Sequence, residues 1–263
     1  MGKRDVSTYL DRILDHHRAI AESDHRSIEE LIAKASEMSP TRGFASALRG
    51  QTTLAVISEI KRRSPSKGDL FADLDPAAVA RAYESGGASC LSVLTDAAHF
   101  GGSVEDLQMA RAACALPVLR KDFTVSERDV LDARIMGADC VLLIAAALGK
   151  NELLAFHEMA TSVGLDVLIE IHDEAELEVA MQVNPSIIGV NQRDLVTFEV
   201  DHERAVRMAA LIPGNVVRVA ESGVRDRRDA QGLREAGYDA VLVGESLVKS
   251  ADPAAAIAEL RIP

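Results

Sequence analysis

From Gln51 onward, short apolar runs alternate with longer segments whose apolar residues recur every three to four positions. The runs read as strands at 54–60, 89–94, 116–121, 139–145, 166–171, 186–191, 216–221 and 239–243. The segments between them read as amphipathic helices with recognisable starts. Asp75-Pro76 supplies an N-cap and a first helical residue, and Ser126 with Asp129 and Asp173 with Glu176 give the same signal. Gly87, Gly137, Gly164 and Gly237 each stand just ahead of a strand, where a helix must stop. Repetition of one strand–helix unit with near-continuous apolar strands predicts a parallel sheet covered by helices. Eight such units fit a closed (β/α)8 TIM barrel better than an open doubly wound sheet, whose GxGxxG fingerprint is missing. Upstream, residues 5–37 read as two helices. Tyr9, Leu10, Ile13 and Leu14 share one face, and Ser27 with Glu30 makes a capping box ahead of Ile28, Leu31 and Ile32. The reading is an α/β chain of one domain over 1–263, with residues 1–50 as an N-terminal helical extension.

Composition narrows the function. The chain is 48% hydrophobic, 27% charged and only 3% aromatic, so its core must be built from Ala, Val, Leu and Ile. Lys+Arg 29 against Asp+Glu 41 gives a net charge of −12, which argues against a broad nucleic-acid-binding surface but not against a small anionic substrate met by local cations. Cys90, Cys114 and Cys140 lack metal-ligand or CxxC spacing and read as small core residues. The seven histidines form no HExxH or comparable ligand pair. The N-terminus has no apolar signal region, and the longest apolar run, 140–148, is too short to span a bilayer. A soluble cytoplasmic protein that engages neither membrane nor nucleic acid is expected.

Chemistry in such a barrel belongs at the C-terminal ends of the strands. Polar residues gather there. The first strand ends in Glu59 and Lys61, which share a side by two-residue alternation while Ile60 faces the other way. The third brings Lys121 and Phe123, the fifth Glu170, the sixth Asn191 and Arg193, and the seventh Glu221-Ser222-Gly223. Two opposite charges ending a buried strand are costly unless they pair or meet a ligand. Arg62, Arg63, Arg120 and Lys67 lie out of phase or in loops and read as solvated. After the last two strands, Glu221-Ser222-Gly223 and Val243-Gly244-Glu245-Ser246 offer glycine turns leading into helices, where backbone N–H groups can hold a phosphate.

Taken together, these residues resemble the indole-3-glycerol-phosphate synthase family of the tryptophan pathway. The matching segments are Ile57-Ser58-Glu59-Ile60-Lys61-Arg62-Arg63-Ser64-Pro65-Ser66-Lys67-Gly68, Leu119-Arg120-Lys121-Asp122-Phe123, Leu168-Ile169-Glu170, Gly189-Val190-Asn191-Gln192-Arg193-Asp194-Leu195 and Ala220-Glu221-Ser222-Gly223. They occur in family order across nearly the whole barrel. The loop Phe100-Gly101-Gly102-Ser103 and the N-terminal helices are also similar to the family's.

The resemblance implies a barrel that works without cofactor or metal. It implies ring closure, decarboxylation and dehydration of 1-(2-carboxyphenylamino)-1-deoxyribulose 5-phosphate to indole-3-glycerol phosphate. By the same resemblance Lys121 is the general acid at ring closure, Lys61 neutralises the substrate carboxylate or serves as acid in one of the steps, and Glu170 is the base for dehydration. Glu59 orients the lysines or shares proton transfer, and Asn191 and Arg193 position substrate hydroxyls and carboxylates. Phe123 packs on the anthranilate ring or serves as barrel-top core. Ser64, Glu221 and Ser222 line the pocket, with backbone at Ser222, Gly223 and Gly244 contacting phosphate. Which lysine donates which proton, and the sign of the lysine pKa shifts, are left open. Family members often carry serine where this chain has Glu245. Its side chain is expected to point away, leaving the amides of Gly244 and Glu245 to the phosphate. His172 is expected to be a solvated rim residue. A neighbouring isomerase barrel would need a Cys/Asp pair at strand ends, which is not found, and a catalytically dead scaffold would have lost the charged mouth residues, which are present. A monomer acting on an anthranilate-bearing sugar phosphate is expected.

Overall fold

The structure is a computed structural model and describes residues 8–64, 68–71, 73–194 and 196–263. Eight parallel strands close into a barrel in which every neighbour in sequence is a neighbour in space. They are β1 (Ala55–Ile60), β2 (Cys90–Leu94), β3 (Val118–Lys121), β4 (Cys140–Ile144), β5 (Asp166–Ile171), β6 (Ile187–Asn191), β7 (Val217–Glu221) and β8 (Ala240–Val243), with β8 pairing β1. Nearly every strand position is buried, as expected when side chains pack against helices on one side and the barrel interior on the other. Each strand lies within two residues of its expected span. The turn glycines Gly87, Gly137, Gly164 and Gly237 all hold positive φ, between 81° and 99°, a backbone conformation that costs other residues strain.

Among the described residues three helices precede the barrel: α1 (Tyr9–Ser23), α2 (Ile28–Glu37) and α3 (Phe44–Leu48). Residues 5–7 of the expected first helix lie outside the described residues. At the start of α1, Thr8 and Asp11 form a capping box. At α2 only half of the expected box is seen. Ser27 accepts from Glu30 N–H, but its hydroxyl donates to Glu29, the nearer carboxylate.

These helices sit at opposite ends of the barrel. Ala45 N–H donates to Asp166 and Arg42 N–H to Asp139, so α3 lies against the strand starts. In contrast, Tyr9, Leu10 and Ile13 of α1 face the cavity at the strand ends. Arg18 anchors α1 to Glu152 at 2.9 Å and to the Ala147 carbonyl at 3.1 Å. Leu31 and Ala35 of α2 pack on Leu131 as a small second core.

The main core is aliphatic. Its bulkiest fully buried side chains are Tyr83, Tyr238 and Phe44, set among Leu, Ile, Val and Ala, and the chain contains no tryptophan. Cys90 and Cys140 are fully buried, and burial pushes both thiols up. Among the described residues no helix is long and apolar enough to cross a membrane.

Candidate active site

A cavity of about 530 Å³ opens at the strand ends, and every catalytic and binding candidate named from sequence borders it. The register of the sheet explains their convergence. Asn191 on β6 pairs with Glu221 on β7, and β4 sets Ile144 beside Glu170 on β5. In-phase residues on successive strands therefore end at one height and point inward.

Lys121 is the hub. Its Nζ lies 3.0 Å from Glu170 Oε2 and 3.4 Å from Glu221 Oε2. Burial disfavours its charge, but the carboxylates of Glu170, Glu221 and Glu59 outweigh that and hold the ammonium above the usual lysine range. The sign left open by the sequence is therefore upward for Lys121. Glu170 is buried, which opposes its charge, yet Lys121, His172 and the Asn191 amide together push its carboxyl below the ordinary value. Glu221 has the same burial with less compensation. Lys121 lowers it, but Glu170 and Glu59 repel its charge, and the net shift is upward. The two acids that touch this lysine thus separate into a charged member, Glu170, and one that favours its proton, Glu221.

Glu59 is paired to Lys61 on the same side of β1, as alternation requires. Both acids on the barrel floor occupy room left by a missing side chain. A Cβ on Gly244 would stand 2.5 Å from Glu59 Oε1, and one on Gly189 would overlap Glu221 Oε1. Asn191 Nδ2 donates to Glu170 Oε1 at 3.0 Å, and Arg193 N–H donates to Asn191 Oδ1 at 3.0 Å. Arg193 spends its guanidinium on the Phe198 carbonyl, 2.9 Å away, so it acts on Glu170 through Asn191 and not by direct contact. Arg204, not anticipated from sequence, donates to the Asn191 carbonyl at 2.9 Å. A helix residue thirteen positions away carries no strand-end signal.

At the far side, Ser222 and Gly223 both hold positive φ, 66° and 78°. Two successive left-handed residues turn the chain sharply after β7, and a strained serine there marks a turn under functional constraint. Gly244 caps the short helix Glu245–Val248. The Glu245 carboxylate pairs with Lys249 at 2.7 Å along that helix, while Ser246 donates its hydroxyl to the Val224 carbonyl. Both side chains are thus drawn into local bonds near the expected anion position. Ser64 is half-buried on the two-residue strand Arg63–Ser64, which pairs with Gly68–Asp69. The Phe123 ring centre lies 5.4 Å from that of His17 and 6.3 Å from that of Phe100.

Several expectations need correction. Arg120 is not solvated. Being out of phase with Lys121, it faces the helix layer, where it is buried against Asp122 at 3.0 Å and the Asp129 carbonyl at 3.3 Å. Arg62 pairs with Asp106 through two bonds of 2.8 and 2.9 Å, and Arg63 donates to the carbonyls of His99 and Ala98. Lys67 lies outside the described residues. His172 is not a rim residue in water. Its Nδ1 is 3.1 Å from Glu176 and its Nε2 3.6 Å from Glu170, and these acids raise its pKa against the effect of burial.

Comparison with known proteins agrees with this geometry. The family model described as indole-3-glycerol phosphate synthase matches residues 10–260. The indole-3-glycerol phosphate synthase of Mycobacterium avium is 47% identical over 97% of this chain and 94% of its own length. That of Streptomyces griseus is 49% identical over 95% and 94%. Among solved structures, a thiamine phosphate pyrophosphorylase from Pyrococcus furiosus superposes with a TM-score of 0.60 at 17% identity, covering 79% of this chain and 93% of its own, a likeness of fold alone. With its closed eight-strand barrel and a family match running through nearly all of it, this chain belongs to the indole-3-glycerol phosphate synthase family.

Proposed function

We propose that this barrel closes the pyrrole ring of indole-3-glycerol phosphate from 1-(2-carboxyphenylamino)-1-deoxyribulose 5-phosphate, with loss of carbon dioxide and water. Three tasks must be met. The carboxylate-bearing ring carbon must be held against the ketone carbon, the ketone oxygen must receive a proton, and a proton must leave as the resulting hydroxyl departs as water.

The observation that carries the reading is one lysine held between two acids of opposite protonation preference inside the strand-end cavity. Lys121 enters each cycle protonated and serves as the acid at the ketone oxygen. Glu221, 3.4 Å away and inclined to keep its proton, can restore it, so that Lys121 also supplies the proton with which the hydroxyl leaves as water. Glu170, charged and fixed by Asn191, is the base for dehydration. Lys61, steadied by Glu59, meets the substrate carboxylate. Backbone amides at Ser222, Gly223, Gly244 and Glu245 receive the phosphate, and Ser64 lines the pocket. Phe123 supplies an apolar face for the anthranilate ring. No step in this scheme asks for a metal or cofactor.

The reading extends to a cytoplasmic monomer that binds no nucleic acid. The net charge of −12 disfavours polyanions. The test is formation of the indole product by purified protein, beside Lys121→Met. Wild-type product with a loss of at least ~100-fold in the variant, within the range general acid catalysis contributes, supports both reaction and acid. Equal turnover by both overturns the role of Lys121. No product from folded wild type overturns the reaction.

A further inference from the structure

We infer that His17, Asp96 and His99 form a binding site for one divalent transition-metal ion of the zinc type, at the rim of the cavity and outside the catalytic group. The His17 Nε2, His99 Nδ1 and Asp96 carboxylate atoms lie within 4.8 Å of one another. Both imidazoles aim at the same oxygen, Asp96 Oδ2, from 2.9 and 3.0 Å. These separations are a few tenths shorter than the ~3.3 Å edge of a tetrahedron with ~2.0 Å metal–ligand bonds, so a small outward shift of the rings admits an ion. Two nitrogens and one carboxylate oxygen are a donor set suited to zinc, cobalt or nickel rather than to calcium or magnesium.

Burial favours the site. The Asp96 side chain is 2% exposed, and those of His17 and His99 are 14% and 20% exposed, which shields the ligands while leaving an entry path. The other oxygen of Asp96 caps the short helix Ala97–Phe100 by accepting from His99 and Phe100 N–H, so the carboxylate is already oriented. Asp122 Oδ1 lies 3.9 Å from His17 Nε2, where it accepts from Phe123 N–H.

The site joins two parts of the molecule. His17 belongs to α1, whereas Asp96 and His99 follow β2. An ion there replaces two imidazole N–H bonds with coordination and fastens α1 over the cavity that Tyr9, Leu10 and Ile13 cover. The ion takes no part in the ring closure.

Tag-free protein freed of metal with a chelator is titrated with cobalt(II) chloride, followed by visible absorption and by competition with zinc chloride. The expected result is one ion per chain, bleached by zinc. His17→Gln and His99→Gln should each weaken binding at least by the ~10–100-fold that loss of a mere outer-shell partner costs. His16→Gln, whose ring lies 5.6 Å from that of His99, should bind as wild type does. A second measurement needs no variant: zinc should shield His17 and His99 of the wild type from carbethoxylation, read by peptide mass mapping. Absence of saturable binding overturns the site. So does binding that survives loss of His17 or His99, or that leaves both imidazoles reactive.

Discussion

Glu170 is aimed by a neutral donor as well as by its cations. The Asn191 amide donates to Oε1 at 3.0 Å, and Asn191 is itself held by Arg193 N–H and Arg204. A hydrogen bond to a charged group is worth ~1.5–3 kcal/mol, so Asn191→Ala should lower kcat by about 10- to 100-fold, with less effect on KM, in steady-state assays. Titration gives a second check. Glu170 sits below the ordinary carboxyl value, so its contribution to stability is present above pH 4.5 and is lost as pH falls through its depressed folded value. Glu221 has the opposite sign. Its proton stabilises the fold below 4.5, and that contribution is lost as pH rises through the elevated folded value. Glu221→Gln should therefore gain in Tm relative to wild type as pH is raised above 4.5, and calorimetry at several pH values reads the trend. A difference that is flat with pH would reject the assigned shift.

Elements carry the glycine slots and the cover. Gly189→Ala would drive a methyl into the Glu221 carboxylate and to 2.9 Å from Leu168 Cδ2. We expect a loss of ~1–3 kcal/mol in urea unfolding together with reduced turnover, because the acid must move. On α1, Ile13 is 3% exposed yet borders the cavity, so Ile13→Ala should raise KM more than it lowers the global melting temperature. Much of this architecture was legible in the residues. Two-residue alternation put Glu59 with Lys61 and Lys121 with Phe123, and helix stops at glycine bounded the strands. Arg120 was misread because alternation says which way a side chain points, not what meets it there, and Asp122 with the Asp129 carbonyl meets it. The histidine pair was invisible for another reason. His17 and Asp96 are separated by 79 positions, and metal-ligand spacing rules see only local sequence. His172 read as a solvated rim residue because nothing in the spacing showed that the Glu176 carboxylate would meet it.

At the scale of the whole chain, stability is uneven by construction. One contiguous apolar cluster links the strands to their covering helices, whereas α2 holds the barrel mainly through Leu31, Ala35 and Leu131. Native-state hydrogen exchange should therefore show α1 and α2 amides opening at lower free energy than those of β4 to β7. Equal protection throughout would contradict that hierarchy. The material of the core has a consequence of a different kind. Tyr83, Tyr238 and Phe44 fill its largest spaces, and nowhere does the chain call for an indole side chain. A ribosome can thus complete this catalyst from a pool empty of tryptophan, at the moment a cell most needs to make more.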